Sequence, residues 1–344
     1  MVTTIGIDPH KATHTAVAND ESETVLGELT VPADRYQTTR LLDWAGRLNG
    51  NGRIWAVEAA GGLGYLLSQQ LVVSGEEVID VPPVLASRVR VLSSGHSDKN
   101  DPNDARSVAI AALRQPGLAR VLREDHVQVL RILAKRHLEL TGLRTQAVCR
   151  LHSVLVQLRP GGIPARVSPN RASQLLRNMR TLDYVSEQRR AHARTHLADI
   201  RRLDRDIKAN KTLIKRAVTV SNTNVTDVYG VGPIVAAFLI GYTGNPTRFA
   251  TPDHYAAYNG TAPIEYSSGG KTRHRLSLRG NRKLNHAIHM AAVTQIRFDT
   301  PGRRYFDKKL AEGKTKKEAL RALKRRISDA VYRQLITDQH KIAS

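Results

Sequence analysis

The run Thr4-Ile5-Gly6-Ile7-Asp8 alternates as a β-strand does and ends on a carboxylate, and the segments after it leave few ways to build a sheet around it. Ala16-Val17-Ala18 and the stretch from Thr24 to Val31 follow after short polar turns at His10-Lys11 and Asn19-Asp20, which predicts a three-stranded meander. Tyr36 to Leu48 then reads as a helix, with Leu41, Leu42, Trp44, Ala45 and Leu48 on its apolar side. After the turn Asn49-Gly50-Asn51-Gly52, the buried strand Ile54-Trp55-Ala56-Val57 delivers Glu58 at its C-terminal end. A helix over Gly61 to Val73, a fifth strand over Val78-Ile79-Asp80-Val81 and a helix from Val84 to Leu92 complete the head of the chain.

Three antiparallel strands followed by helix, strand, helix, strand and helix is the order of a ribonuclease-H-like mixed sheet covered by helices. On that topology Asp8 and Glu58 leave adjacent strand ends. The block Ser97-Asp98-Lys99-Asn100-Asp101-Pro102-Asn103-Asp104-Ala105-Arg106 adds two more acids. Pro102 suits the first helical position and Asp101 an N-cap, so Asp104 falls a turn later on the same side. Alone, this pair reads as a cap and a complement to the helix dipole. Joined to Asp8 and Glu58 it becomes four carboxylates around one point. They would repel and raise one another's pKa values without a hard cation among them, for which Mg²⁺ is the natural choice. Two such ions about 4 Å apart can hold the attacking and leaving oxygens of a phosphodiester in line.

Charge points to the same substrate class. Lys and Arg number 53 against 31 Asp and Glu, a net charge of +22 over 344 residues. Residues 1–100 carry a net −4 and the remainder +26, so a slightly acidic head is joined to a body that attracts polyanions. The single cysteine, Cys149, excludes an internal disulfide and a cysteine-built zinc site and fits a reducing cytoplasm. The longest apolar run, around Pro233 to Ile240, is too short to span a bilayer, so no membrane partner is expected.

From Arg106 to about Val225 the pattern is helical throughout. Leu133, Leu140, Ala147, Leu151, Val154 and Leu158, and then Ala193, Ile200, Leu203, Ile207 and Ile214, recur at heptad-like spacings, with a break from Pro160 to Pro169. This predicts an antiparallel helical hairpin or coiled coil, its outer face rich in arginine and lysine from Arg189 to Arg216. Beyond it, Gly230-Val231-Gly232-Pro233 resembles a helix-hairpin-helix turn, whose backbone N–H groups can hold a phosphate. The segment Tyr266-Ser267-Ser268-Gly269-Gly270-Lys271-Thr272-Arg273-His274-Arg275, followed by Arg279, Arg282 and Lys283, reads as a flexible phosphate-facing loop leading into a helix from Leu284 to about Ile296. Gly-x-Ser-x-Gly is absent, which argues against an esterase, and His286 and His289 lack the partners of a zinc site.

Five of these features in this order resemble the insertion-sequence one-ten family, the DEDD transposases described as bridge-RNA-guided recombinases. They are Ile5-Gly6-Ile7-Asp8, Val57-Glu58-Ala59, Lys99 to Arg106, Gly230 to Pro233, and Tyr266 to Gly269 followed by Ser277-Leu278-Arg279-Gly280-Asn281. The resemblance implies a RuvC-like domain over 1–118, a helical coiled-coil region over 119–222 and a mostly helical C-terminal transposase domain over 223–344. It carries the DEDD set onto Asp8, Glu58, Asp101 and Asp104, and a nucleophilic serine onto Ser268, with Ser267 beside it as the other hydroxyl. It further implies Mg²⁺, a dimer or tetramer assembled on donor and target duplexes, a structured guide RNA and a place at the nucleoid. Gly230, Gly232, Lys271, Arg273, Arg275, Arg279, Arg282 and Lys283 are the expected nucleic-acid contacts. Two other readings stand beside the recombinase: a RuvC-like nuclease using metal-bound water, and a non-catalytic basic scaffold.

Overall fold

A computed structural model describes residues 2–48, 52–93, 100–161, 168–268, 271–276 and 280–343, which form two compact units, 1–124 and 125–344. The first is built on β1 (Thr3–Pro9), β2 (Thr13–Asn19), β3 (Val25–Pro32), α1 (Gln37–Ala45), β4 (Arg53–Glu58), α2 (Tyr65–Val73), β5 (Val78–Val81), α3 (Pro83–Ser93), α4 (Asp101–Arg114) and β6 (Ala119–Arg120). The sheet runs β3-β2-β1-β4-β5-β6, with β1, β2 and β3 antiparallel and β1, β4 and β5 parallel. That is the ribonuclease-H/RuvC-like order, closed at one edge by the two-residue β6, which the sequence did not announce.

Strand alternation decides what each face does. Ile5 and Ile7 of β1 and Trp55 and Val57 of β4 pack with Leu41, Leu67 and Leu71, burying α1 and α2 against one face. Ala56, Val81, Ala86, Val108 and Ala111 form the opposite layer with α3 and α4. On that second face β1 offers Gly6, where a Cβ would lie 2.0 Å from the Ala105 carbonyl oxygen. Only glycine lets helix and strand approach so closely.

In the second unit, α5 (His126–Val156) and α7 (Tyr184–Val220) run antiparallel. Asn210 Nδ2 donates to the Leu133 carbonyl at 3.1 Å near one end, and Arg144 pairs with Asp204 further along. Leu140, Ala147, Leu151 and Leu155 face Ala193, Leu197, Ile200, Leu203 and Ile207 in their shared core. The helical pattern expected from Arg106 to about Val225, broken at Pro160 to Pro169, has further interruptions. It stops at Arg114, resumes only at the Asp125 cap of α5, and inserts α6 (Pro169–Asn178), which seals the far end with Ala172 and Leu176.

The C-terminal core joins the near ends of α5 and α7 to α8 (Pro233–Thr243), α9 (Pro252–Asn259), α10 (Arg282–Gln295), α11 (Pro301–Ala311) and α12 (Lys316–Ala343). Between α9 and α10 the expected flexible loop is instead a hairpin of β7 (Pro263–Ser268) and β8 (Lys271–Leu276). The glycine pair between two short β-prone runs is a hairpin signal that the surrounding cations obscured. No helix among the described residues is long and apolar enough to cross a membrane.

Candidate functional site

On β1 the face carrying Gly6 also carries Asp8, and on β4 the face carrying Ala56 carries Glu58, because alternate residues share a face. Both acids therefore emerge on the α4 side of the sheet at the C-terminal ends of neighbouring parallel strands. Helix α4 brings the other two. The cap sits one residue earlier than the sequence suggested: Asn100, not Asp101, accepts the Asn103 N–H at 2.9 Å. An amide cap leaves the Asp101 carboxylate out of the cap bond, in the first turn together with Asp104. Ala105 and Val108, on the adjoining stripe, are fully buried and fix which side of α4 meets the sheet.

Asp8, Glu58 and Asp104 line one cavity of about 350 Å³ with His10, Ser87 and Arg90. Asp101 joins it through Asp8 and His10, these three residues each offering a ligand atom within 4.8 Å of the others. Burial pushes the Asp8 carboxyl up to about 6; nearby His10 pulls it down, while Glu58, Asp104 and Asp101 push it further up. Asp104 is held by the Arg90 guanidinium, and His10 Nδ1 lies 3.5 Å from Asp8 Oδ2. The donor set fits a divalent cation, since a buried carboxylate among other acids gains most from a charge placed between them.

His10 and Arg90 were not foreseen. His10 follows Asp8 by two residues, so strand alternation was a usable signal. Arg90 had none, because its meeting with Asp104 depends on how α3 packs on α4.

In the second unit the other predicted residues fall on and around the hairpin. Its register sets Ser268 opposite Lys271, Ser267 opposite Thr272, Tyr266 opposite Arg273 and Ile264 opposite Arg275. For Ser268, Lys271, Arg273 and Arg275 the description is of the backbone, and Arg279 lies outside the described residues. The hairpin's foot is a buried polar cluster. Asn259 Oδ1 accepts the Thr261 N–H at 3.1 Å and hydroxyl at 2.7 Å, and Asn285 Nδ2 donates to the Asn259 and Gly260 carbonyls at 3.1 and 2.9 Å. Lys324 Nζ donates to Asn285 Oδ1 at 2.6 Å, and burial lowers its pKa. On the outgoing side Asn281 N–H bonds the Tyr258 carbonyl at 2.7 Å and Gly280 stacks on Gly260, where a Cβ would come within 2.5 Å.

Arg282 and Lys283 are exposed in the first turn of α10, with Lys283 Nζ 4.6 Å from the centre of the Tyr242 ring. Gly230 has a left-handed φ of 84°, and a Cβ there would sit 2.7 Å from the Ala291 carbonyl oxygen. Its glycine is thereby explained by packing on α10, independently of any phosphate. Gly232 caps α8 without a side-chain bond.

A family described as Transposase, of the IS110 DEDD type, matches residues 5–160, and one described as Transposase IS116/IS110/IS902 family matches 222–307. The chain is 26% identical over 377 residues to the insertion element IS116 44.8 kDa protein of Streptomyces clavuligerus, covering 96% of this chain and 94% of that one. It is 25% identical over 380 residues to the IS900 42 kDa protein of Mycobacterium paratuberculosis, with the same coverage of 96% and 94%. Among solved structures, T. thermophilus RuvC in complex with Holliday junction substrate matches 35% of this chain and 100% of its own at 16% identity and a TM-score of 0.27. With two family matches that together span more than half of its sequence, the chain belongs to the IS116/IS110/IS902 family of transposases, enzymes that cut and rejoin DNA.

Proposed function

We propose that the chain is a serine-dependent DNA recombinase in which Asp8, Glu58, Asp101 and Asp104 hold Mg²⁺ and Ser268 is the nucleophile. The observation that carries the reading is the convergence of Asp8, Glu58 and Asp104 on one cavity, with Asp101 reaching Asp8. When bound, Mg²⁺ would polarise the scissile phosphate and neutralise charge developing on its oxygens. The Ser268 hydroxyl loses its proton and attacks phosphorus, forming a phosphoseryl bond as the P–O bond to the DNA chain breaks and the departing oxygen takes up a proton. Phosphodiester energy is kept in that bond, so a second DNA hydroxyl can reverse the step on a new strand without ATP.

Ser268 rests on the family resemblance, and the hairpin register supports it over Ser267. Cross-strand partners share a face, so position 268 shares one with 271, 273 and 275, the three cationic positions of β8 that would follow a phosphate backbone. Lys271, Arg273, Arg275, Arg279, Arg282 and Lys283, with the turn at Gly230 and Gly232, are the proposed DNA contacts. The structured guide RNA and the dimer or tetramer are likewise carried by the resemblance. Exposed Arg194, Arg201, Arg205, Lys208, Lys211 and Lys215 along α7 provide charge for a second polyanion. Membership of a transposase family leaves a non-catalytic scaffold without support.

Replacing Ser268 by Ala tests the nucleophile. The recombinase loses its covalent protein–DNA adduct and strand joining together; cleavage that continues at the wild-type rate would establish the nuclease reading instead. Sequencing the nucleic acid that co-purifies tests the guide, with a single structured RNA expected and random cellular RNA counting against it.

A further inference from the structure

The acid cavity is not uniform. The Asp8 side chain is 9% exposed, no hydrogen bond reaches its carboxylate from the described residues, and its ion-pair neighbour is His10 at 3.5 Å. A divalent cation entering between Asp8, His10 and Asp101 meets three ligand atoms within 4.8 Å of one another and replaces only the long His10–Asp8 contact. Asp104 is different. Its carboxylate already carries the Arg90 guanidinium, which reaches over from α3. A cation seeking that carboxylate meets a like charge on the oxygen it needs, inside a pocket where screening is weak.

We propose that the cavity holds two unequal cation positions: an open one on Asp8, His10 and Asp101, and a second on Asp104 that Arg90 closes until a DNA phosphate draws the guanidinium away. This rests on the reading of the cavity as the DNA-cutting site. A phosphate is the ligand suited to release Arg90, because the planar guanidinium fork matches two phosphate oxygens as well as it matches a carboxylate. Arriving DNA then both removes the guard and supplies oxygens to the vacated position. The imidazole in the open position widens its choice of ion, since a nitrogen donor suits Mn²⁺ better than it suits Mg²⁺. Off DNA, the chain holds one cation and lacks the pair that would activate water on a stray phosphodiester.

The full-length chain is titrated with Mn²⁺, and bound ions are counted from the loss of the free-ion electron paramagnetic resonance signal. Wild type is expected to bind one Mn²⁺ and Arg90→Gln two, with matching thermal melts. His10→Ala should weaken the first site about tenfold or more. A short duplex, with its own Mn²⁺ uptake subtracted, should bring wild type to two and leave Arg90→Gln at two. Two ions on wild type without DNA, or one on a folded Arg90→Gln, would overturn the guard while leaving the site intact. No ion on any variant would remove the site reading itself. Should Arg90→Gln fail to fold, Arg90→Lys replaces the fork with a single ammonium and should admit the second ion at intermediate affinity; one ion there counts against the guard.

Discussion

His10 Nδ1 lies 3.5 Å from Asp8 Oδ2, so part of the cavity is built by the end of β1 and the first residue of the turn that follows it. The rest of the lining comes from β4, α3 and α4.

Stability should fall as pH rises through the Asp8 titration. Its carboxyl stands at about 6 against an ordinary 3.8, so folding favours the protonated form. That contribution is complete below the ordinary carboxylate range and is lost as pH rises through about 6, amounting to roughly 3 kcal/mol at neutral pH. Urea melts between pH 4.5 and 7.5 in EDTA should show the decline for wild type and a much flatter course for Asp8→Asn. Millimolar Mg²⁺ should restore wild type and leave the variant unmoved.

Gly6→Ala should unfold the first unit selectively. The new methyl would sit 2.0 Å from the Ala105 carbonyl oxygen and 2.5 Å from the Ala109 nitrogen, so β1 and α4 must part. A loss of about 3 kcal/mol is expected. Limited proteolysis should release residues 125–344 as the surviving core, whereas equal protection of both units would contradict the packing described.

Glu58→Gln should cut strand cleavage by roughly a hundredfold or more, with the chain's melting and its affinity for duplex DNA nearly unchanged. Cleavage within threefold of wild type would take Glu58 out of the site.

Lys324→Met should loosen the hairpin's foot. Lys324 is 7% exposed and donates to Asn285, whose amide holds the carbonyls that open the hairpin. Leaving the Asn285 oxygen unsatisfied should cost about 2 kcal/mol. Trypsin should then cut faster between Lys271 and Arg275 while α5 and α7 stay protected; uniform susceptibility would mean general unfolding.

Much of the first unit was legible because alternation is a direct record of facing. Ile5 and Ile7 announced one layer and Gly6 and Asp8 the other, and the same rule delivered Glu58. Asp101 was placed correctly on its helix but given the cap that belongs to Asn100, since both residue types cap well and the sequence alone does not rank them. The hairpin was missed as structure because Lys271, Arg273 and Arg275 hid an alternation in which cations stand where apolar residues are sought. Arg90 and Lys324 were beyond reach for a different reason. Each acts on a partner, Asp104 and Asn285, that only tertiary packing brings near.

Gly6 carries one further consequence. A strand pressed this tightly to its helix has no slack in its backbone, so Asp8 and the opening turn of α4 form a rigid jig. If the cavity acts as proposed, ions and DNA would be exchanged inside a fixed template, and substitutions around β1 and α4 would retune preference without rebuilding either.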